Sequence, residues 1–129
     1  MLRLDKAAIE QAISSYCDAW GEPDPARRRA IIERVWADDA TYTDPSAHAS
    51  GVGGLDAHIA GVLTTYPGGR IERTSAIDAH HGWARFGWRM ALADGTTLPE
   101  GIDFAEIGED GKLRRIVGFF GALRPRKPT

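Results

Sequence analysis

Three residues of this 129-residue chain have the types needed to move a proton at carbon: Tyr16, Asp44 and Asp103. An ionised carboxylate takes a proton. A second carboxyl, held among apolar side chains, stays protonated and donates a hydrogen bond, as a tyrosine hydroxyl does. Together these parts suit removal of a proton alpha to a carbonyl and stabilisation of the resulting enolate. Whether they share a site depends on the elements that carry them.

Asp103 lies in the stretch Pro99–Glu106, which alternates: Ile102 and Phe104 point to one side of a strand, Gly101, Asp103 and Ala105 to the other. Two of the smallest side chains flank the acid on its own face and leave space over it. That pattern fits a pocket floor, and it equally fits an acid on the wet face of an antiparallel sheet. Tyr16 falls on the inward stripe Ile9, Ile13, Tyr16, Trp20 of an amphipathic helix over 6–20, capped by Asp5. An inward tyrosine is also a common core residue. Asp44 ends a short strand, Ala40–Pro45, where an Asp before Pro is also a plain turn former. Tyr42 shares its face.

The remaining elements follow the same periodicities. Asp24 and Pro25 open a second helix with the stripe Ile31, Ile32, Val35, Trp36, ending near Asp38–Asp39. Residues 46–54 read as a polar, glycine-rich loop, and a third helix runs from Leu55 to about Tyr66, with Ile59, Val62 and Leu63 inward. The period then changes to two. Strands are expected over 70–78, 82–93, the Asp103 stretch and 113–123, with hairpin signals at Asp94-Gly95 and Asp110-Gly111. The fold class is α+β: three N-terminal helices packed on a curved, mainly antiparallel sheet, forming a cone with one open mouth. Trp20, Trp36, Tyr42, Val62, Phe86, Trp88 and Phe120 are expected to line it. Residues 1–129 read as one domain, with 124–129 a flexible basic tail.

Composition narrows the function. The 43% apolar and 26% charged content is that of an ordinary globular protein, and a net charge of −2 gives no reason to expect nucleic acid. The basic cluster Arg27-Arg28-Arg29 reads as a solvated helix face. A single cysteine, Cys17, implies no intrachain disulfide, and it lacks a flanking charge that would activate it. No long apolar run appears, and Met1–Asp5 lacks the apolar core of a signal peptide, so a cytoplasmic protein without membrane contact is expected. His80 and His81 are adjacent and point to opposite strand faces, while His48 and His58 have no partner at ligand spacing. No metal and no cofactor are expected.

The order of elements, the stretch Trp36–Pro45, and the Ile102-Asp103 strand closing on Asp110-Gly111-Lys112 resemble the nuclear transport factor 2-like superfamily. Within it, the chain is similar to the SnoaL-like and ketosteroid isomerase-like branches, whose cystatin-like cone the whole chain resembles. The resemblance to ketosteroid isomerase implies that Tyr16 is a donor to the oxyanion, Asp44 the general base and Asp103 a protonated acid. Resemblance to SnoaL-like cyclases implies instead that Asp103 is the acid/base and Asp44 is structural. The tyrosines that support the donor in the steroid enzyme are absent here, where Trp36 and Val62 or Leu63 stand. The epoxide hydrolase branch needs an Arg between two carboxylates, and Arg85 and Arg89 have no carboxylate two residues away. The expected activity is that of an isomerase or cyclase acting on a small apolar molecule with a carbonyl. The alternatives are a non-catalytic small-ligand binding module of the same fold and an interaction role for Trp83, Arg85 and Arg89 on the outer sheet face. The resemblance also implies a homodimer.

Overall fold

Two Asp-capped helices open the computed structural model, which describes residues 5–128. The sequence reading of Met1–Leu4 lies outside the described residues. Asp5 accepts from the Ala8 amide at 2.8 Å to start α1 (Lys6–Ala19). Asp24 accepts from the Arg27 amide at 2.9 Å to start α2 (Pro25–Val35), where the proline at the first position has no amide to leave unpaired. The chain continues through β1 (Trp36–Asp44), β2 (Ala47–Ser50), α3 (Gly51–Thr65), β3 (Arg70–Arg73), β4 (Asp78–His80), β5 (Trp83–Ala91), β6 (Gly101–Ile107) and β7 (Leu113–Phe120).

The strands form one mixed, curved sheet in the order β2-β1-β7-β6-β5-β3, with β4 also paired to β5. Every pairing is antiparallel except β1 with β7. The fold is thus α+β, with the three helices packed on the sheet. Ile13, Ile32, Leu55, Ile59, Leu113 and Ile116 are among the fully buried side chains between the layers.

Four sequence expectations are corrected. The second helix stops at Val35 rather than near Asp38–Asp39, because Trp36 takes an extended backbone and pairs with Leu113 of β7. Sheet hydrogen bonding here overrides an apolar stripe that would equally suit another helical turn. Residues 46–54 are not a loop: β2 forms a hairpin with β1, and Gly51, with φ +71°, turns directly into α3. The expected strand over 70–78 is two strands, broken between Arg73 and Asp78. Arg28 is 5% exposed rather than solvated; its Nε lies 2.7 Å from Asp56 Oδ1 on α3, and its Nη1 donates to the Glu22 carbonyl.

The Asp94-Gly95 turn forms, with Gly95 at φ +89°, and the chain beyond it pairs back briefly on the end of β5, where Thr97 bridges Ala91 and the Leu98 amide donates to the Met90 carbonyl at 2.9 Å. Leu98 and Pro99 then line the cavity before β6 begins. Residues 121–128 carry no regular structure and are exposed.

Candidate functional site

β6 places Asp103 inward. Gly101, Asp103 and Ala105 are buried on one face, and Ile102 and Phe104 are exposed on the other. The space expected over the acid is supplied by glycines on two strands. A Cβ at Gly101 would lie 2.5 Å from the Trp88 ring, and one at Gly118 would lie 2.8 Å from Asp103 Oδ1 and 3.6 Å from Asp44 Cβ. These distances are shorter than or close to van der Waals contact, so the two bare positions let an indole and a carboxyl sit flat on the sheet. β7 lies between β1 and β6, so Gly118 is also the gap that separates Asp44 from Asp103.

Asp103 is 5% exposed. Burial pushes its carboxyl up to about 7; the Trp88 hydrogen bond opposes this and the nearby charge of Asp44 adds to it. Trp88 Nε1 donates to Oδ1 at 2.8 Å. Oδ2 has no protein partner among the described residues and, not being sealed from solvent, reaches the cavity.

Asp44 has the opposite environment. Tyr42 donates its hydroxyl to Oδ2 at 2.5 Å, and the backbone amide and hydroxyl of Ser46 both donate to Oδ1 at 2.7 Å. His58 Nε2 on α3 lies 3.9 Å from Oδ2. Burial alone would raise this carboxyl, but the Tyr42 and Ser46 hydrogen bonds, with His58 beside them, hold it below the usual carboxylate range. Asp44 is therefore an ionised, saturated carboxylate and a weak base. Tyr42 is in turn driven up by burial and by its bond to Asp44, so it stays a hydroxyl.

Tyr16 is 2% exposed, stacks on Trp36 with ring centroids 5.9 Å apart, and lines the same cavity. Burial first, then the charge of Asp103, raises its hydroxyl well above the ordinary value, leaving a neutral donor. Cys17, one residue on, also faces the cavity and is pushed by burial up to about 12, so it is an inert thiol at neutral pH.

The cavity has a volume of about 360 Å³. Of the expected lining residues, Trp20, Tyr42, Val62, Phe86, Trp88 and Phe120 are there. Trp36 is not: it is fully buried beneath Tyr16, with Nε1 donating to the Gly51 carbonyl at 3.2 Å. Sequence reasoning missed His58 and Ser46, and Leu98 and Pro99 in the stretch before β6, as lining residues. His58 was legible, since it lies three residues after Leu55 and four before Val62 on the inward stripe of α3. Its ring packs on Tyr42 and, edge-on, against Trp20, with centroids 5.1 and 5.6 Å away. Arg85 pairs with Asp78 at the surface and Arg89 with Glu72 in a half-buried setting, and neither arginine lines the cavity. Among the described residues no cluster of three metal-ligating side chains occurs. His80 and His81 are exposed neighbours at the β4–β5 turn. No helix among the described residues is long and apolar enough to cross a membrane.

An α+β cone with two unlike carboxyls and a neutral tyrosine around one apolar cavity defines the class. The chain belongs to the SnoaL-like domain family, whose model matches residues 13–116. A solved structure from Agrobacterium tumefaciens, described as a putative isomerase of the SnoaL-like family, is 29% identical. The match covers 90% of this chain and 99% of that one, with TM-score 0.84. A putative SnoaL-like polyketide cyclase from Jannaschia sp. CCS1 has TM-score 0.72 at 10% identity, covering 92% and 90% of the two chains. A cystatin-like protein of unknown function from Methylobium petroleophilum has TM-score 0.75 at 20% identity, covering 95% and 81%. These two show the shared fold alone. No curated protein matches the chain by sequence.

Proposed function

We propose that this protein is an acid–base enzyme of the isomerase or cyclase type. It moves a proton alpha to a carbonyl of a small, largely apolar molecule, with Asp103 as the proton carrier. The observation that carries this reading is the contrast between the two carboxyls. Asp103 has a free oxygen at the cavity and titrates near neutral pH, where a carrier of protons is most effective. Asp44 has both oxygens occupied and stays ionised. This favours the arrangement in which Asp103 is the acid/base over the one in which Asp44 is.

In the forward step, ionised Asp103 takes the alpha proton. The C–H electron pair becomes the enolate double bond, and the carbonyl π pair moves onto oxygen. The Tyr16 hydroxyl, neutral and buried, donates to that oxyanion in a site of low dielectric. Protonated Asp103 then returns its proton to carbon, at the original or a conjugated position, and is regenerated. Asp44, held by Tyr42 and Ser46, fixes the wall and biases Asp103 toward its protonated form between turnovers.

The test is hydrogen–deuterium exchange alpha to the carbonyl in a panel of apolar ketones in heavy water. Asp103→Asn should lower exchange by about two to four orders of magnitude. Unchanged exchange in Asp103→Asn would remove Asp103 from the mechanism. Ligand binding without exchange in the wild type would leave a binding module.

The outer sheet face is the proposed contact with a second copy. Ile102, Phe104 and Phe119 are exposed there, with Trp83 on β5. Apolar and aromatic side chains in such a group favour association.

A further inference from the structure

The charges around the cavity are one-sided. Among the described residues no Lys or Arg lines it, whereas Asp44 and Asp103 both do, together with the rings of Tyr16, Trp20, Tyr42, Tyr66, Trp88 and Phe120. We infer that the cavity selects an organic cation, an alkylammonium group carried by the same molecule that bears the enolisable carbonyl. The inference rests on the proposed acid–base site and names its substrate class.

The titratable groups facing the space are Tyr16 and Cys17 from α1, Tyr42 and Asp44 from β1, His58 and Tyr66 from α3 and its C-terminal end, and Asp103 from β6. Arg73 on β3 is felt at Cys17 but does not line the cavity. His58 is committed to the Asp44 side, between Tyr42 and Trp20. A carboxylate or phosphate entering here would be desolvated beside an ionised Asp44, with no guanidinium or ammonium to receive it. An uncharged ligand would use only the apolar and aromatic walls. A monocation would use those walls, gain attraction to the ring faces, and offset the charge of Asp44.

It would also act on the carrier. Asp103 is buried, and its Oδ2 lacks a protein partner among the described residues. A positive charge docked beside that oxygen favours its ionised form, the form that removes a proton. The base would then be readied by the substrate that it acts on, and protected by its proton in the empty cavity.

Calorimetric titration of the full chain with three ligands of matched shape tests this. The probes are benzyltrimethylammonium, the uncharged α,α-dimethylphenethyl alcohol, and the anion α,α-dimethyl-β-phenylpropanoate. The expected order of affinity is cation, alcohol, anion, with about tenfold between the first two. Asp44→Asn and Asp103→Asn should each reduce the ratio of cation to alcohol affinity; the ratio is the readout, because Asp44→Asn also exchanges one of the oxygens that accept from Tyr42 and Ser46 for an amide donor. If Asp44→Asn fails to fold, Asp103→Asn, which keeps the shape of the side chain, carries the comparison. Alcohol binding as tightly as the cation, or the anion binding best, overturns the inference and leaves the acid–base reading intact. Equal weakening of all three ligands in the variants also overturns it, since that marks a structural role. Binding of none overturns it together with the ligand-site reading.

Discussion

Trp88 reaches Asp103 diagonally across two strands. Its backbone stands opposite Gly101, and its indole lies over that glycine to donate from Nε1 to Asp103 Oδ1 at 2.8 Å. The bond stabilises the ionised carboxyl and so limits how far burial can raise it. Trp88→Phe should therefore push Asp103 above about 7, moving the acidic limb of any rate profile to higher pH. Carboxylate NMR titration of wild type and Trp88→Phe checks the shift; a lower value in the variant would refute it.

The same carboxyl links stability to pH. Its folded value of about 7 lies above the ordinary 3.8, so the native state holds this proton more tightly than the unfolded chain. The Asp103 contribution to stability therefore falls as pH rises from 3.8 to about 7, then levels off. Asp103→Asn removes that loss. Each pH unit between the two values corresponds to about 1.4 kcal/mol, so the variant should gain a few kcal/mol at most on the wild type at pH 8. The gain should vanish near pH 4. Denaturant midpoints at the two pH values measure it.

Gly118→Ala tests the gap between the acids. A Cβ there would sit 2.8 Å from Asp103 Oδ1. We expect a stability loss of about 1–3 kcal/mol from overpacking and a displaced carboxyl, with alpha-proton exchange reduced while the circular dichroism spectrum is retained.

Arg28 and Asp56 tie α2 to α3, and neither lines the cavity. Asp56→Ala leaves a 5% exposed guanidinium without its counter-ion, a loss of about 3 kcal/mol or more in urea unfolding. Asp56→Asn should recover part of it by keeping a hydrogen-bond acceptor.

The outer sheet face predicts self-association. Phe104 and Phe119 meet edge to face with centroids 6.0 Å apart on its exposed side. A double change to Glu should yield a monomer by sedimentation at concentrations where the wild type is dimeric; a monomeric wild type would refute the contact.

Much of this arrangement was legible from residue types and periodicity. The alternation around Asp103 and the stripe of α1 already turned Asp103 and Tyr16 to single faces, and the change of period after the third helix already marked an α+β fold. What could not be read was long-range. Nothing local to Trp36 says that Leu113 will be its neighbour, so its apolar stripe reads as helix. Arg28 looks solvated until Asp56 arrives from α3. The burial that lifts Asp103 and its bond from Trp88 exist only once the strands are in register, whereas the Tyr42 and Ser46 bonds that hold Asp44 down are local, each from a residue two positions away.

The parallel pairing of β1 with β7 has a consequence for assembly. Tyr42 meets Ile116, so two strands far apart in the chain must close against each other before Asp44 and Asp103 flank Gly118. Such non-local closure is slow relative to helix and hairpin formation. During synthesis the helices and β1–β2 can form early, while the central seam waits for β7 to emerge. The juxtaposition of the two carboxyls would thus be completed last, since both flank Gly118 of β7.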